Sequence, residues 1–415
     1  MKPDSTNILK WFYPGIGIKR WVTLSTLGVA LLILGTANLR SEEFWVIQAL
    51  DALVVFSGII ILILGIKRLM RSFIALFVPG ASRGTELIDI LYQKKQLSRG
   101  ARIVTVGGGT GLSVLLSGLK VYTSNISAVV TVADNGGSSG RLRQQFDVLP
   151  PGDIRNCLVA LADAPTLMRD LFQFRFDGNS AEFSGHSFGN LFLTVMTRLT
   201  GDFEKAIKET SKVLALRGQV IPSTLGDVAL VAHYADGSTV VGEEQIPKAR
   251  KLINRVSLTP EHPLATPDAL KSIKEAQIIV LGPGSLYTSI IPNLLIKEIS
   301  QAIAESEAIK VYVCNVMTQP GETDGYAVSD HIKALLKHSY PKILNYCVVN
   351  NGEVPAEVLK RYSKDNSTLV FNDRKKIESM GYRVVEEDFS MIQDGVIRHD
   401  PEKLARIILS FIEEI

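Results

Sequence analysis

The sequence predicts an α/β protein: a mostly parallel sheet with helices on both faces, a small antiparallel insertion, and a two-helix transmembrane hairpin in front. Three observations predict it. From residue 101 onward, short β-branched runs alternate with helical stretches, the pattern of parallel strands joined by helical crossovers. Glycine-rich loops recur where those runs end. The first quarter of the chain holds two long apolar runs. At 415 residues and 45.4 kDa the chain has room for two to three units of roughly 150 residues each. With 46% hydrophobic and 21% charged residues it has a globular composition, too apolar for a disordered chain.

The net charge of +3 is unevenly spread. Residues 1–100 carry 12 Lys/Arg against 6 Asp/Glu, and residues 101–415 carry 33 against 36. A mildly acidic body argues against a nucleic-acid partner, because phosphate neutralisation needs clustered Lys and Arg. Cys157, Cys314 and Cys347 are odd in number, far apart and without Cys-x-x-Cys spacing. They exclude a disulfide framework or a zinc ribbon and fit a reducing compartment.

Residues 1–20 read as a cytoplasmic N-terminal segment, followed by a hairpin over 21–66. Trp21–Leu39 runs for 19 residues without a charge, and Phe44–Ile66 for 23 with only Asp51 inside. A helix rises about 1.5 Å per residue against a hydrocarbon core of roughly 30 Å, so both can span. Only Arg40-Ser-Glu-Glu43 separates them. Lys10, Lys19 and Arg20 flank the first run, and Lys67, Arg68 and Arg71 the second. That bias puts both flanks in the cytoplasm and expects a multi-pass cell-membrane protein with its large domain inside. Trp21, Phe44 and Trp45 stand at span ends, where amphipathic rings prefer the interface. A signal peptide cut near Gly35-Thr-Ala37 is the competing reading, but its apolar run is long for one. Asp51, two turns from a span end, reads as a snorkelling or helix-pairing residue rather than a transport group. Residues 67–100 form a connector with a Pro79-Gly80 break and an amphipathic stretch carrying Leu87, Ile90 and Leu91.

Residues 101–415 form the α/β domain. Strands are expected at Arg102–Val106, Ile126–Val132, Gln277–Leu281, Lys310–Cys314, Leu344–Val349 and Thr368–Phe371. Within residues 216–258, Val228–Tyr234 and Thr239–Gly242 flank the turn Ala235-Asp-Gly-Ser238 and predict an antiparallel hairpin. A last helix starts at Pro401 and is expected to reach about Glu414.

Four loops carry the chemistry. Gly107-Gly108-Gly109-Thr110-Gly111 follows the first strand and opens the Leu112–Leu119 helix. Its glycines let backbone N–H groups approach a phosphate at a helix N-terminus. It is neither Gly-x-Gly-x-x-Gly nor a Walker loop, and a tight structural turn would use the same residues. Asp134-Asn135-Gly136-Gly137-Ser138-Ser139-Gly140 follows the second strand, where a dinucleotide fold places its ribose ligand. Asp153, Arg155 and Asn156 open the Asp153–Ala162 helix, Asp153 as an N-cap or the three together as an anion-binding first turn. Gly282-Pro283-Gly284-Ser285 repeats the logic of the first loop on the other half of the sheet. Gly185–Asn190, with His186 and Asn190, before a long apolar helix, and Asn315–Gly325 after a strand are expected at the same edge. His186 reads first as a packed, hydrogen-bonded histidine. The remaining histidines lack metal-ligand spacing, and no Ser/His/Asp order is legible. Such loops together describe a Rossmann-like crevice at the carboxyl edge of an open sheet.

Read in order, Gly-Gly-Gly-Thr-Gly-Leu (107–112), Val-Thr-Val-Ala-Asp (130–134), Gly-Gly-Ser-Ser-Gly (136–140), Pro-Pro-Gly-Asp-Ile-Arg-Asn (150–156), Gly-His-Ser-Phe-Gly-Asn-Leu (185–191), Gly-Pro-Gly-Ser-Leu-Tyr-Thr-Ser (282–289) and Cys-Asn-Val-Met-Thr-Gln (314–319) resemble the gluconeogenesis factor family. That family is similar in fold to 2-phospho-L-lactate transferase, an enzyme of deazaflavin coenzyme biosynthesis. The resemblance implies a nucleotide ligand lying on Gly107–Gly111 and, in the bacterial branch, a nucleotide-sugar-binding protein linked to carbon metabolism, cell-wall synthesis and cell shape. It implies a substrate-contacting role for Asp153. The leading expectation for the ligand is a UDP-sugar such as UDP-N-acetylglucosamine, with a GDP-type donor for transferase chemistry or an NAD-like dinucleotide as alternatives. The partners implied are the nucleotide sugar, the membrane through the hairpin, and wall-synthesis regulators; a homo-oligomer is compatible with all of these. The family loop reads Asp-Asp where this chain has Asp134-Asn135, so no metal ligand set is expected and Mg²⁺ assistance is doubtful.

Overall fold

In the computed structural model, residues 18–38, 45–77, 92–177 and 183–412 are described. The chain divides into two compact units, Met1–Lys94 and Lys95–Ile415.

The first unit pairs two helices, Ile18–Asn38 and Trp45–Phe77. Lys19–Ala37 and Trp45–Met70 within them have mean hydropathies of 1.5 and 2.6, and both are long enough to cross a bilayer. Lys10, the turn Arg40–Glu43, the Pro79-Gly80 break and Leu87–Leu91 lie outside the described residues. Glycines set how closely the helices approach. A Cβ on Gly28 would come within 2.7 Å of the Leu62 nitrogen, and one on Gly65 within 2.9 Å of the Ser25 nitrogen. Close backbone contact of this kind drives pairing in lipid, where no hydrophobic force separates helix from solvent. Asp51 is buried in the same seam, its carbonyl oxygen against Gly35.

The second unit contains, in chain order, β1 Ile103–Gly107, β2 Ile126–Val130, β3 Gln219–Pro222, β4 Ala229–Tyr234, β5 Thr239–Val241, β6 Ile253–Thr259, β7 Ile278–Leu281, β8 Ile309–Val313, β9 Tyr346–Asn350, β10 Arg383–Glu387, β11 Ser390–Gln393 and β12 Val396–His399. Seven of them form a parallel sheet in the order β10-β9-β8-β7-β1-β2-β3. Helices cover both faces, which is why β1 and β7 are buried along their whole length. Ile103 stands opposite Ile126 on one side and Ile278 on the other. The first half of the domain therefore builds outward from β1 in one direction and the second half in the other. Their carboxyl ends meet between β1 and β7, the switch point at which open α/β sheets hold ligands.

Three expectations change. Thr368–Phe371 is not a strand: it makes single bridges from Leu369 to Met317 and from Phe371 to Ala327, with both apolar side chains exposed. The edge belongs instead to β10, whose Arg383-Val-Val-Glu-Glu is too polar to read as sheet core. The antiparallel insertion is larger and differently bounded, because β6 completes a β5-β4-β6 sheet while β3 joins the parallel one. The last helix runs Pro401–Ser410, with Asp400 capping it through bonds from the Glu402 and Lys403 amides.

Candidate functional site

The loops after β1 and β7 pack directly on each other. A Cβ on Gly111 would meet the Pro283 carbonyl oxygen at 2.8 Å, and one on Gly284 the Gly108 oxygen at 3.2 Å. Gly109 has φ +68°, a conformation that disfavours any side chain, and from it the Gly109–Leu119 helix begins. Beside this double turn lies a cavity of about 540 Å³. Gly108–Gly111, Gly284, Ser285 and Asn315–Gln319 form its floor, and Tyr362 and Val396–His399 its far wall. The floor is cross-braced. Asn315 Nδ2 donates to the Gly284 oxygen at 2.9 Å, Gln319 Nε2 donates to Ser285 Oγ at 2.7 Å, and Asn293 Nδ2 donates to the Gly107 oxygen at 3.1 Å.

Two carboxylates already occupy helix starts at this edge. Asp153 accepts the Gly109 N–H, and its carboxylate fills the space a Gly108 side chain would need. Burial, then the Asp134 charge, pushes its pKa up to about 7. It is not an N-cap, since Pro151 holds that position and no side-chain cap bond forms. Glu322 accepts the Tyr287 and Thr288 N–H groups and the Thr288 hydroxyl, the last at 3.2 Å. Its pKa also rises to about 7, through burial. Each glycine turn therefore has part of its helix start satisfied by the protein itself, the Gly109 N–H by Asp153 and the Tyr287 and Thr288 N–H groups by Glu322.

The remaining candidates gather beyond Gly108. Asp134 does not line the 540 Å³ cavity. Its Oδ1 accepts the Gly136 N–H at 2.8 Å, and it shares a hydrogen bond with Glu243, whose pKa burial and the Asp134 charge raise far above the carboxylate range. The chain does bring a carboxylate pair together, through Glu243 rather than position 135. The raised Glu243 pKa works against the doubly ionised pair that a cation would need. Among the described residues, no group of three or more His, Cys, Asp or Glu stands ready to hold a metal ion. Asn135 Oδ1 instead accepts the Glu244 N–H at 3.1 Å. Gly137, at φ +44°, opens the Gly137–Phe146 helix, on which Ser138 and Ser139 are buried. Ser138 Oγ lies 2.9 Å from His186 Nδ1 and accepts from Asn190 Nδ2 at 3.1 Å. Burial, then Arg141, lowers the His186 pKa, so it is a neutral, packed histidine. Arg155 donates to Asn156 Oδ1 at 2.7 Å and lies against Gly189, while Asn156 faces a different cavity. These two side chains bond to each other, while the buried Arg155 Nε has no partner.

The sequence profile of the family described as 2-phospho-L-lactate transferase CofD matches residues 103–390. The gluconeogenesis factor of Bacillus subtilis (strain 168) is 46% identical over 75% of this chain and 98% of its own length. The chain belongs to the gluconeogenesis factor family. A family member of Nostoc sp., named "Putative gluconeogenesis factor", is 48% identical over 97% of this chain and 92% of its own, so the alignment takes in most of the N-terminal hairpin. The solved structure of a UPF0052-family protein from Bacillus halodurans superposes with a TM-score of 0.72 at 47% identity, covering 74% of this chain and 99% of that one. Family members thus occur with and without a counterpart to the first hundred residues. Sequence reasoning missed Glu243, Tyr362 and the β11–β12 hairpin, and it placed the segment Asn315–Gly325 at this edge without singling out Glu322 within it. Glu243 sits in an ordinary charged loop, and only the fold carries it to the glycine turns.

Proposed function

We propose that this chain binds a nucleotide sugar of the UDP-N-acetylglucosamine type in the switch-point cavity, regulates wall synthesis and cell shape in step with carbon metabolism, and is tethered to the cytoplasmic face of the membrane by its helical hairpin. One observation carries the reading: the cavity lies against the glycine turn after β1, whose helix start, apart from the Gly109 N–H that Asp153 takes, offers amides to a diphosphate. Asn315 and Gln319 supply polar contacts, and Arg398 on the far wall a cation. The link to wall synthesis rests on the family resemblance, and the tether on the apolar helices and their basic flanks.

A second reading, transferase chemistry with a GDP-type donor, is favoured by Asp153. A buried carboxyl whose pKa is about 7, beside the turn where a nucleotide would lie, is suited to proton transfer at neutral pH. Asp134, the residue that suggested a dinucleotide, lies outside the lining of that cavity.

The test is calorimetric titration of the detergent-solubilised full chain with UDP-N-acetylglucosamine, GDP and NAD. A mass-spectrometric search for nucleoside monophosphate, with and without Mg²⁺, runs beside it. The regulator reading expects UDP-sugar binding, weakened at least tenfold by Gly109→Ala, and no turnover. Steady UMP or GMP release that disappears in Asp153→Asn would replace it with the transferase.

A further inference from the structure

The helices Thr166–Gln173 and Phe188–Thr200 pack side by side through Phe172, whose ring centroid lies 5.9 Å from that of Phe188 and 5.0 Å from that of Phe192. The longer helix uses one side for the domain's interior, where Gly189, Asn190, Leu193 and Thr194 are buried. Its opposite side is apolar as well. Phe188, Phe192, Val195 and Leu199 recur there at the alternating four- and three-residue spacing of a single stripe. Within that stripe Val195 is 56% exposed and Leu199 76%. Leu167, Leu171 and Phe174 form a matching exposed stripe on and just after the shorter helix, with Leu167 80% exposed. A helix that is apolar all round is ordinarily covered all round. The five exposed side chains, with the partly buried Phe188 and Phe192 between them, present on the order of 500 Å² of apolar surface, at the upper end of what a monomer leaves bare.

We propose that this two-helix face is where two copies of the chain pair, each laying its stripes against those of the other across a two-fold axis. Two features favour a second copy as the occupant. A standard dimer interface covers roughly 800 Å² per partner, a little over half of it non-polar, and the stripes supply that apolar share. The rim carries both signs, with Arg175, Arg198, Asp170 and Asp177 all exposed. In a two-fold contact each Arg can meet an Asp of the other copy, whereas an anionic bilayer would select a rim of positive charge alone. The pairing does not depend on what fills the switch-point cavity. It does bear on the turn beyond Gly108, because Asn190, on the inward side of the same helix, donates to Ser138 Oγ at 3.1 Å. A partner copy therefore backs the helix that holds Ser138 in place.

Multi-angle light scattering of the detergent-solubilised full chain tests the face. Wild type has the mass of two 45.4 kDa chains once detergent is subtracted. Leu167→Asp and Leu199→Asp each weaken self-association by about a hundredfold or more, as an unpaired charge in the centre of an interface does. Leu264→Asp, at a leucine 74% exposed on the loop after β6, leaves the dimer intact. All three leucines are exposed in a single copy, so the variants fold; thermal unfolding checks this, and one folded stripe variant suffices. A dimer that survives in a folded Leu167→Asp or Leu199→Asp chain shows that the membrane hairpin or another surface holds it, and overturns the proposal. So does loss of the dimer in Leu264→Asp, or a wild-type chain that is a monomer, whether bare or with a different protein or lipid on this face.

Discussion

Asp153 stands in the first turn of Gly152–Leu161 with its carboxylate under Gly108, and burial together with Asp134 lifts its pKa from 3.8 to about 7. The folded state therefore holds a proton on Asp153 that the unfolded chain has released over roughly pH 4 to 7. Stability contributed by this group is greatest below that window, falls as pH rises through it and is flat above. Asp153→Asn keeps an acceptor for the Gly109 N–H and removes the buried charge. Above pH 7 it should be more stable than wild type, by up to about 4 kcal/mol. Its advantage should vanish near pH 4, as read from urea midpoints at the two ends. Glu322 and Glu243 retain part of the slope, since both are raised by burial in the same way. An advantage independent of pH would mean that Asp153 does not titrate as described. At this scale the glycines, Asp134 and Asn315 could be singled out because each follows a strand closely in the sequence, and Asp153 because it opens a helix. Glu243 could not, because it reaches the crevice only through chain that folds back from the β4–β6 sheet, and nothing marked Glu322 within the segment Asn315–Gly325 that was expected there.

The β11–β12 hairpin has neither strong apolar alternation nor a place in the main sheet, and nothing in its sequence marks it as a cavity wall. What fixes it is the helix Ala356–Ser363, whose Tyr362 hydroxyl accepts the Ile397 N–H at 2.9 Å. Ile397 in turn packs with Val316, Met317 and Val358 in a small apolar cluster of its own. Tyr362→Phe should cost roughly 1 kcal/mol of stability, the net worth of one hydrogen bond. It should also weaken nucleotide binding without moving the glycine turns. Urea unfolding and the calorimetric titration read the two effects separately, and unchanged affinity would show that the hairpin is not part of the binding wall. Within the parallel sheet, the strands legible in the sequence were those buried along most of their length, β1, β2 and β7 to β9. The illegible ones, β3 and β10, are sheet edges, where Gln219 and Arg383 face solvent and Pro222 can be tolerated without breaking a ladder on both sides.

For the molecule as a whole, the basic flanks of the two apolar helices predict that both chain ends lie in the cytoplasm. Alkaline phosphatase fused after Ile415 should then be inactive in a bacterial host, while a fusion after Asn38 should be active, because that enzyme matures only outside. The reverse pattern would invert the topology. The two apolar runs could be read from length and charge alone, whereas the glycine seam that joins them could not, since nothing in sequence spacing says which faces meet. The position of β1 at the centre of the sheet has a consequence during synthesis. β1 and its glycine turn leave the ribosome early, yet their second neighbour, β7, follows only after the entire β4–β6 sheet has been made. A nascent chain stalled before β7 has an unpaired central strand edge and half a crevice. The hairpin comes first of all, so a chain inserting as it is made would wait for its missing half already held at the bilayer.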